Sequence, residues 1–554
     1  MFEEEIKKIL KQATGLEEIN LEIPPDQKFG DFAFPCFQLS KKLKKNPAEI
    51  AQELSTKIKP NNYLNEVKAV GPYLNIFVNK EKLAGIVIKK VMQEKEKYGS
   101  SNTGKGQKTL VEHSSINPNA EPHVGRTRNA LIGDSIVKIL KFQGYKVETH
   151  FFVNDVGKQI AMLVLAARGK ALSFKKLLAL YVEFNNRLKE KPELEKEVFE
   201  TLYNLEKGDN KIKKEFEKVV KICIKGQKEL LEELGIKFDF FDYESQYLWS
   251  KRTNELLEKL LKIPECFKDS DGRVVINQEE FKNEMRSPYL VITRSDGTSL
   301  YALRDIAYTI DKMKKAPGRN ILVLGEDQKL YFKQLSSALK LLGYKSPEAV
   351  HYSFVLLETG KMSTRKGEVV LLSDFMNEAV SKAESEVKKR GNIKNVKQTA
   401  KMIGYGALKY SILRVSPEKN VTFNWDVALS FEGETAPYIQ YAHARCTSIL
   451  KKAKIKMDKN IDFSLLKTNE EQALIKEISS FPDVVLEATN LLKPHVIATY
   501  LYSLSKTFSE FYHVCPCIID DKKLSNTRLS LVLSTKQVLK TGLSLLGVES
   551  PDRM

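Results

Sequence analysis

Apolar positions recur at helical spacing over Glu3 to Gln12 and again over Pro47 to Lys57. Between them lies GDFAFPCFQLSKKLKKNP, and after them the strand-like GPYLNIFVN. This alternation predicts a small α+β unit, and the polar run YGSSNTGKGQK that follows reads as a linker. A short apolar strand, Thr109 to Glu112, then gives way to a loop and to a helix over Val124 to Phe142, with Gly144 as its stop. A second strand follows. Strand, helix and strand in that order form a βαβ unit, which predicts a parallel sheet with a nucleotide site at its strand ends.

From Ile160 to Leu234 the pattern is helical and rich in Lys, Glu and Leu, and a mixed stretch continues to Arg286. Strands return at PYLVITRSDGTSLYALRD and NILVLGEDQ, so the sheet is expected to resume after a long insertion. The strand YSFVLLE leads into the loop ETGKMSTRKGEVV, and beyond Lys382 the pattern is helical. In TYLYSLSKTFSEFYHV, Leu501, Leu504, Phe508 and Phe511 share one face.

At 554 residues the chain is too long for one core, and a prior of about 150 residues per domain predicts several. The charge of +18 concerns partners more than fold. It fits nucleic acid, an anionic membrane, acidic ligands or a compositional lysine bias. No run of about 18 apolar residues occurs, so no membrane span is expected. The first residues, MFEEEIKKILKQATG, resemble neither a signal nor a transit peptide, and a cytoplasmic location follows. Cys36, Cys223, Cys266, Cys446, Cys515 and Cys517 form no C-x-x-C pair. They read as buried reduced thiols, and no protein-held metal is expected.

Two motifs carry chemistry. His123-Val124-Gly125-Arg126 sits where a strand end meets a helix start. Unpaired N–H groups and the positive end of the helix dipole favour phosphate there, and His123 can donate to a phosphate oxygen as charge develops. Lys361-Met362-Ser363-Thr364-Arg365-Lys366-Gly367 offers three cations in one loop, enough to clamp a triphosphate. Each motif alone is a common pattern. Together, over two hundred residues apart, they resemble the class I aminoacyl-tRNA synthetases.

The chain resembles the arginyl members in particular, through SSINPNAEPHVGRTRNALIGD, SDGTSLYALRDIAYTIDK, KMSTRKGEVV, ETAPYIQYAHAR and the run from Pro494 to LLGVESPDRM. GDFAFPCFQLSKKLKKNP resembles their N-terminal tRNA-binding domain. The resemblance covers essentially the whole chain and is weakest over 165–285. It implies an N-terminal domain over 1–104, a Rossmann-type α/β catalytic domain over 105–400 with a helical insertion over about 165–285, and an all-α anticodon-binding domain over 401–554. It implies ligation of L-arginine to its tRNA through an arginyl-adenylate, with ATP as substrate, magnesium on the phosphates, and a monomer.

A guanidinium is planar, permanently charged and rich in donors, so its pocket should offer carboxylates and amide oxygens. Glu112 and Asn117 lie near the strand end, and Tyr301 and Asp305 fall one helical turn apart. By the resemblance, Asp305 faces the guanidinium, Glu112, Ser114 and Asn117 hold the amino-acid end, and Tyr301 and Gln328 line the pocket. His123, Gly125, Arg126, Gly325, Asp327, Lys361, Met362 and Ser363 are implied at ATP, with His123, Gly125, Arg126, Lys361 and Lys366 catalytic. Tyr441 and Arg445 are implied at tRNA, among C-terminal aromatics that also include Tyr438, Tyr500, Phe508 and Tyr512.

Two positions depart from the family pattern. Arg126 stands where the first motif usually ends in histidine, and it cannot share a proton as imidazole can. Thr364 stands where class I enzymes generally carry a second lysine, a charge that Lys366 would supply. An inactive tRNA-binding relative is the alternative, against which Lys361, Lys366 and the paired acids argue. A cysteinyl enzyme should show zinc ligands, and a glutamyl or glutaminyl enzyme a basic or amide pocket.

Overall fold

The computed structural model describes residues 2–283, 287–357, 370–391, 393, 395–453 and 461–554. Lys361, Met362, Ser363, Thr364 and Lys366 lie outside the described residues.

The N-terminal unit is α+β. Strands Phe32–Pro35 and Leu64–Val70 flank Tyr73–Val78 in an antiparallel sheet. The helix Pro47–Lys57 starts where it does because Asn46 caps the backbone N–H of Ala48 and proline occupies the first turn. The stretch read as a linker is not a free tether. Tyr98 is 1% exposed, and its hydroxyl donates to the Ile478 carbonyl at 3.0 Å. Its ring stacks on Phe481 at 6.2 Å. Polar composition describes the residues around Tyr98, but one buried aromatic decides where the segment lies.

The central sheet has five parallel strands, in the order Glu348–Tyr352, Arg319–Gly325, Lys108–Glu112, Lys146–Val153, Phe240–Tyr243. The strand order reverses beside Lys108–Glu112, which opens a crevice at the carboxyl ends of that strand and Arg319–Gly325. The helix Val124–Phe142 follows the first of these strands and closes over Gly144, whose φ is +82°. It lies so close to the sheet that a Cβ on Gly133 would meet the His113 ring at 2.2 Å. Asn129 on this helix joins both sides of the crevice. It accepts from the Ser114 N–H at 2.6 Å and donates to the Val323 carbonyl at 2.8 Å.

The insertion differs from its sequence reading in two ways. Four helices, Lys158–Ala167, Phe174–Glu190, Leu194–Glu206 and Asn210–Glu233, occupy its first part. The strand Phe240–Tyr243, however, returns to the central sheet as its edge. Four residues with an aspartate among aromatics carry too weak a period to be seen alone. Conversely, Tyr289–Val291 joins Cys266–Lys268 and Val274–Asn277 in a separate antiparallel sheet. YALRD opens the helix Tyr301–Lys315, so the parallel sheet resumes only at Arg319.

Among the described residues the last third is helical apart from Val421–Phe423, which pairs in parallel with Val355–Leu357. Leu501, Leu504, Phe508 and Phe511 are each 0% exposed, and such burial contributes about 2 kcal/mol per side chain. This domain rests on the catalytic helix, where the Ser135 hydroxyl donates to the Leu545 carbonyl at 2.9 Å. All six cysteines are free and buried.

Candidate active site

The crevice has an acidic wall. Asp305 is half-buried on the first turns of Tyr301–Lys315 and accepts from the Tyr331 hydroxyl at 2.8 Å. Burial pushes its carboxyl up to about 6; Lys312 opposes that rise and Glu112 adds to it. Tyr301 tilts against Tyr331 with ring centroids 4.6 Å apart. Burial raises the Tyr301 hydroxyl, and so do the charges of Asp305, Glu244 and Glu112. Asp305, Tyr301 and Glu112 therefore occupy one electrostatic neighbourhood.

Glu112 is buried and receives the ammonium of Lys312, itself 1% exposed. That ammonium also lies 4.1 Å over the Tyr308 ring. A buried carboxylate without such a partner would be strongly destabilising, so the pair holds strand and helix together. Ser114 is buried, with φ of +68°. Asn117 donates to Gln159 at 3.0 Å. Gln328 is exposed in the turn after Arg319–Gly325 and donates to Asp327 at 3.2 Å.

Residues not singled out from the sequence complete this wall. Glu244, 1% exposed, accepts from Arg304 at 2.7 Å. Burial pushes its carboxyl up to about 7, against the pull of Arg304. Asp155 is raised by burial as well, and the two acids repel. Glu244 and Asp155 each follow the end of a parallel strand, the one signal that could have marked them. Lys312 and Tyr331 offer none, because they meet Glu112 and Asp305 only through the fold.

The opposite wall is more open. His123 caps the helix Val124–Phe142 with extended backbone and no side-chain bond to it. Its Nδ1 is buried without a partner, and burial, with Arg126 nearby, pushes the imidazole down to about 4. It is therefore neutral at physiological pH. Arg126 is exposed one turn into the helix, and Gly125 is half-buried. At the end of the adjacent strand, a Cβ on Gly325 would meet the Asp327 carboxylate at 2.4 Å. Glycine there leaves room for the exposed Asp327 side chain to fold back over the turn.

The segment holding His123 is zipped to the chain immediately after the Lys-Met-Ser motif. The Val124 N–H donates to Val370 at 3.1 Å, and the Leu372 N–H donates to Pro122 at 2.8 Å. These bonds fix the described chain from Val370 onward against the His123 segment. Such a cleft sets a helix N-terminus with an exposed Arg126 against a cluster of acids. It can hold a polyanion on one side and a cation on the other, with the reacting groups between.

On the helical domain, the Arg445 guanidinium lies 4.7 Å over Tyr441 and 4.8 Å over Tyr512. Tyr512 is 40% exposed. Tyr500 and Phe508 belong to the core, and Tyr438 packs against Tyr502.

Comparison with known proteins agrees over the whole length. Residues 1–78 match the arginyl tRNA synthetase N-terminal domain. Residues 87–425 match the catalytic domain of class I (R) tRNA synthetases, and 439–554 the DALR anticodon-binding domain. An arginine–tRNA ligase of Methanocaldococcus jannaschii is 41% identical over 99% of this chain and 98% of its own. One from Clostridioides difficile is 37% identical over 97% and 96%. The solved arginyl-tRNA synthetase of Thermus thermophilus superposes with a TM-score of 0.88 at 29% identity, covering 100% of both chains. The chain belongs to the arginyl family of class I tRNA synthetases.

Proposed function

We propose that this chain uses ATP to ligate L-arginine to the 3′ end of its tRNA. The observation that carries this reading is the pairing of an acidic wall around Asp305 with the open helix start at His123, across one switch-point crevice. Asp305, helped by Tyr301 and Glu112, would receive the guanidinium, with Ser114, Asn117 and Gln328 toward the amino-acid end. His123, Gly125, Arg126, Gly325 and Asp327 would face ATP, joined by Lys361, Met362, Ser363 and Lys366 from the second motif.

The arginine carboxylate attacks the α-phosphorus in line and pyrophosphate leaves, giving arginyl-adenylate. The terminal ribose 2′-hydroxyl then attacks the activated carbonyl and AMP leaves. No protein nucleophile is needed, because positioning and charge stabilisation carry the rate. A neutral His123 imidazole donates a hydrogen bond without adding a competing charge. Magnesium would be held by the phosphate oxygens, the hard ligands it prefers, with exposed Asp327 as a protein oxygen donor, and would offset the charge developing on pyrophosphate.

Tyr441, Arg445 and Tyr512 would stack splayed bases of the anticodon loop while cations take phosphates. The free cysteines suit a reducing, cytoplasmic location, and the resemblance implies a monomer that activates arginine only with tRNA bound. The test is acylation of total tRNA with each radiolabelled amino acid in turn, with ATP and magnesium. Arginine alone should be charged; charging of another amino acid, or of none, overturns the reading.

A further inference from the structure

Arg128 lies on the same helix as Arg126, yet its side chain is 0% exposed. Its guanidinium meets backbone carbonyls. Nη1 donates to Ser353 at 2.7 Å and to Lys419 at 2.7 Å, and Nη2 donates to Ser416 at 3.0 Å. Burial pushes the group down to about 10. An apolar side chain would fill this volume at lower desolvation cost, whereas a planar fork fixes several oxygens in set directions.

Those oxygens belong to two parts of the molecule. Ser416 and Lys419 lie on the turn between the helix Val396–Leu413 and the strand Val421–Phe423. Ser353 links the outer strand of the central sheet to Val355–Leu357. Ser353 is held by that turn as well, its N–H donating to Pro417 at 2.8 Å. Its hydroxyl lies 2.7 Å from the Glu418 carbonyl and 2.7 Å from the Glu326 carboxylate. Glu326 sits between Gly325 and Asp327, on the nucleotide edge of the crevice.

We propose that Arg128 is a positioning residue for the nucleotide half of the reaction. It locks Ser353, and through it the Glu326 turn, to the helix start at His123, and the lock is complete only when the 416–419 turn is seated. Arg128 touches no substrate and acts through backbone. The acidic wall around Asp305 is not part of this joint.

This inference rests on the proposed arginine–tRNA ligation, so wild-type enzyme is run beside each variant. Lysine cannot reproduce the planar fork. R128K should therefore raise KM for ATP about tenfold while KM for arginine stays within about twofold. An unchanged KM for ATP in folded R128K overturns the proposal, as does an equal rise for both substrates. If R128K does not fold, S353A removes the hydroxyl contact and leaves the Ser353 carbonyl. It should raise KM for ATP about threefold and spare arginine. An ATP KM equal to wild type in S353A also overturns the proposal. Wild-type enzyme that fails to charge arginine would instead defeat the functional reading.

Discussion

The two walls of the crevice are built on opposite principles. On the acidic side nearly every charge is buried and already engaged: Glu112 by Lys312, Glu244 by Arg304, Asp305 by Tyr331. On the nucleotide side Arg126 and Asp327 stand in solvent. A guanidinium must be told apart from other amino-acid side chains, which calls for a desolvated, fixed pocket that punishes an unpaired group. Triphosphate needs positive potential more than an exact fit, and an exposed cation such as Arg126 supplies it at little desolvation cost. The difference predicts steep, substrate-selective losses from mutations in one wall and shallow ones in the other.

The sharpest way to break the comparison is Asp305→Ala. Truncating one partner of a buried charge pair costs about 3 kcal/mol or more, so kcat/KM for arginine should fall at least about a hundredfold. KM for ATP should stay nearly constant. Steady-state charging at varied arginine and ATP reads both, and a parallel loss for ATP would show that the walls are not independent.

Glu112→Gln comes next. It strands the Lys312 ammonium in the interior, and breaking such a pair costs about 3 kcal/mol of stability. Thermal unfolding should show a clear fall in Tm. A fall in Tm with arginine affinity intact would assign Glu112 to the scaffold of the pocket.

The carboxyl of Asp305 is raised by burial to about 6, and the guanidinium it would bind stays charged. The ionised carboxylate is the binding form. As pH drops through about 6, kcat/KM for arginine should fall by about tenfold per unit, while KM for ATP moves far less. The pH profile of kcat/KM, which reports the free enzyme, tests this directly. An arginine profile flat from pH 7 to pH 5 would remove Asp305 from the pocket.

The smallest effect belongs to the open wall. Arg126→His restores the residue usual in the family, and an exposed phosphate contact should change kcat/KM for ATP by about threefold or less. A loss of about thirtyfold would show that the nucleotide wall is as fixed as its opposite.

The sequence already carried much of this architecture. The helix Val124–Phe142 was readable in outline, because a glycine with positive φ stops it and the strands around it are apolar. The Tyr301 and Asp305 pair was readable because one helical turn separates them. Lys312 as the partner of Glu112 was not, since 200 residues separate them and only the sheet brings them together. Nor was Glu244 readable, because the four-residue strand before it shows no clear period. Local spacing reveals what one element presents. A buried charge network is a property of several elements at once.

Tyr98 carries a consequence for how the protein could be divided. Its segment has the look of a hinge, yet the ring is wedged against Phe481 and the hydroxyl is tied to Ile478 in the distant helical domain. The N-terminal unit is therefore not a detachable cassette. Severing the chain in this segment would unroof a seam in the anticodon-binding bundle, and grafting the unit onto another enzyme would require carrying along the patch of helix that receives it.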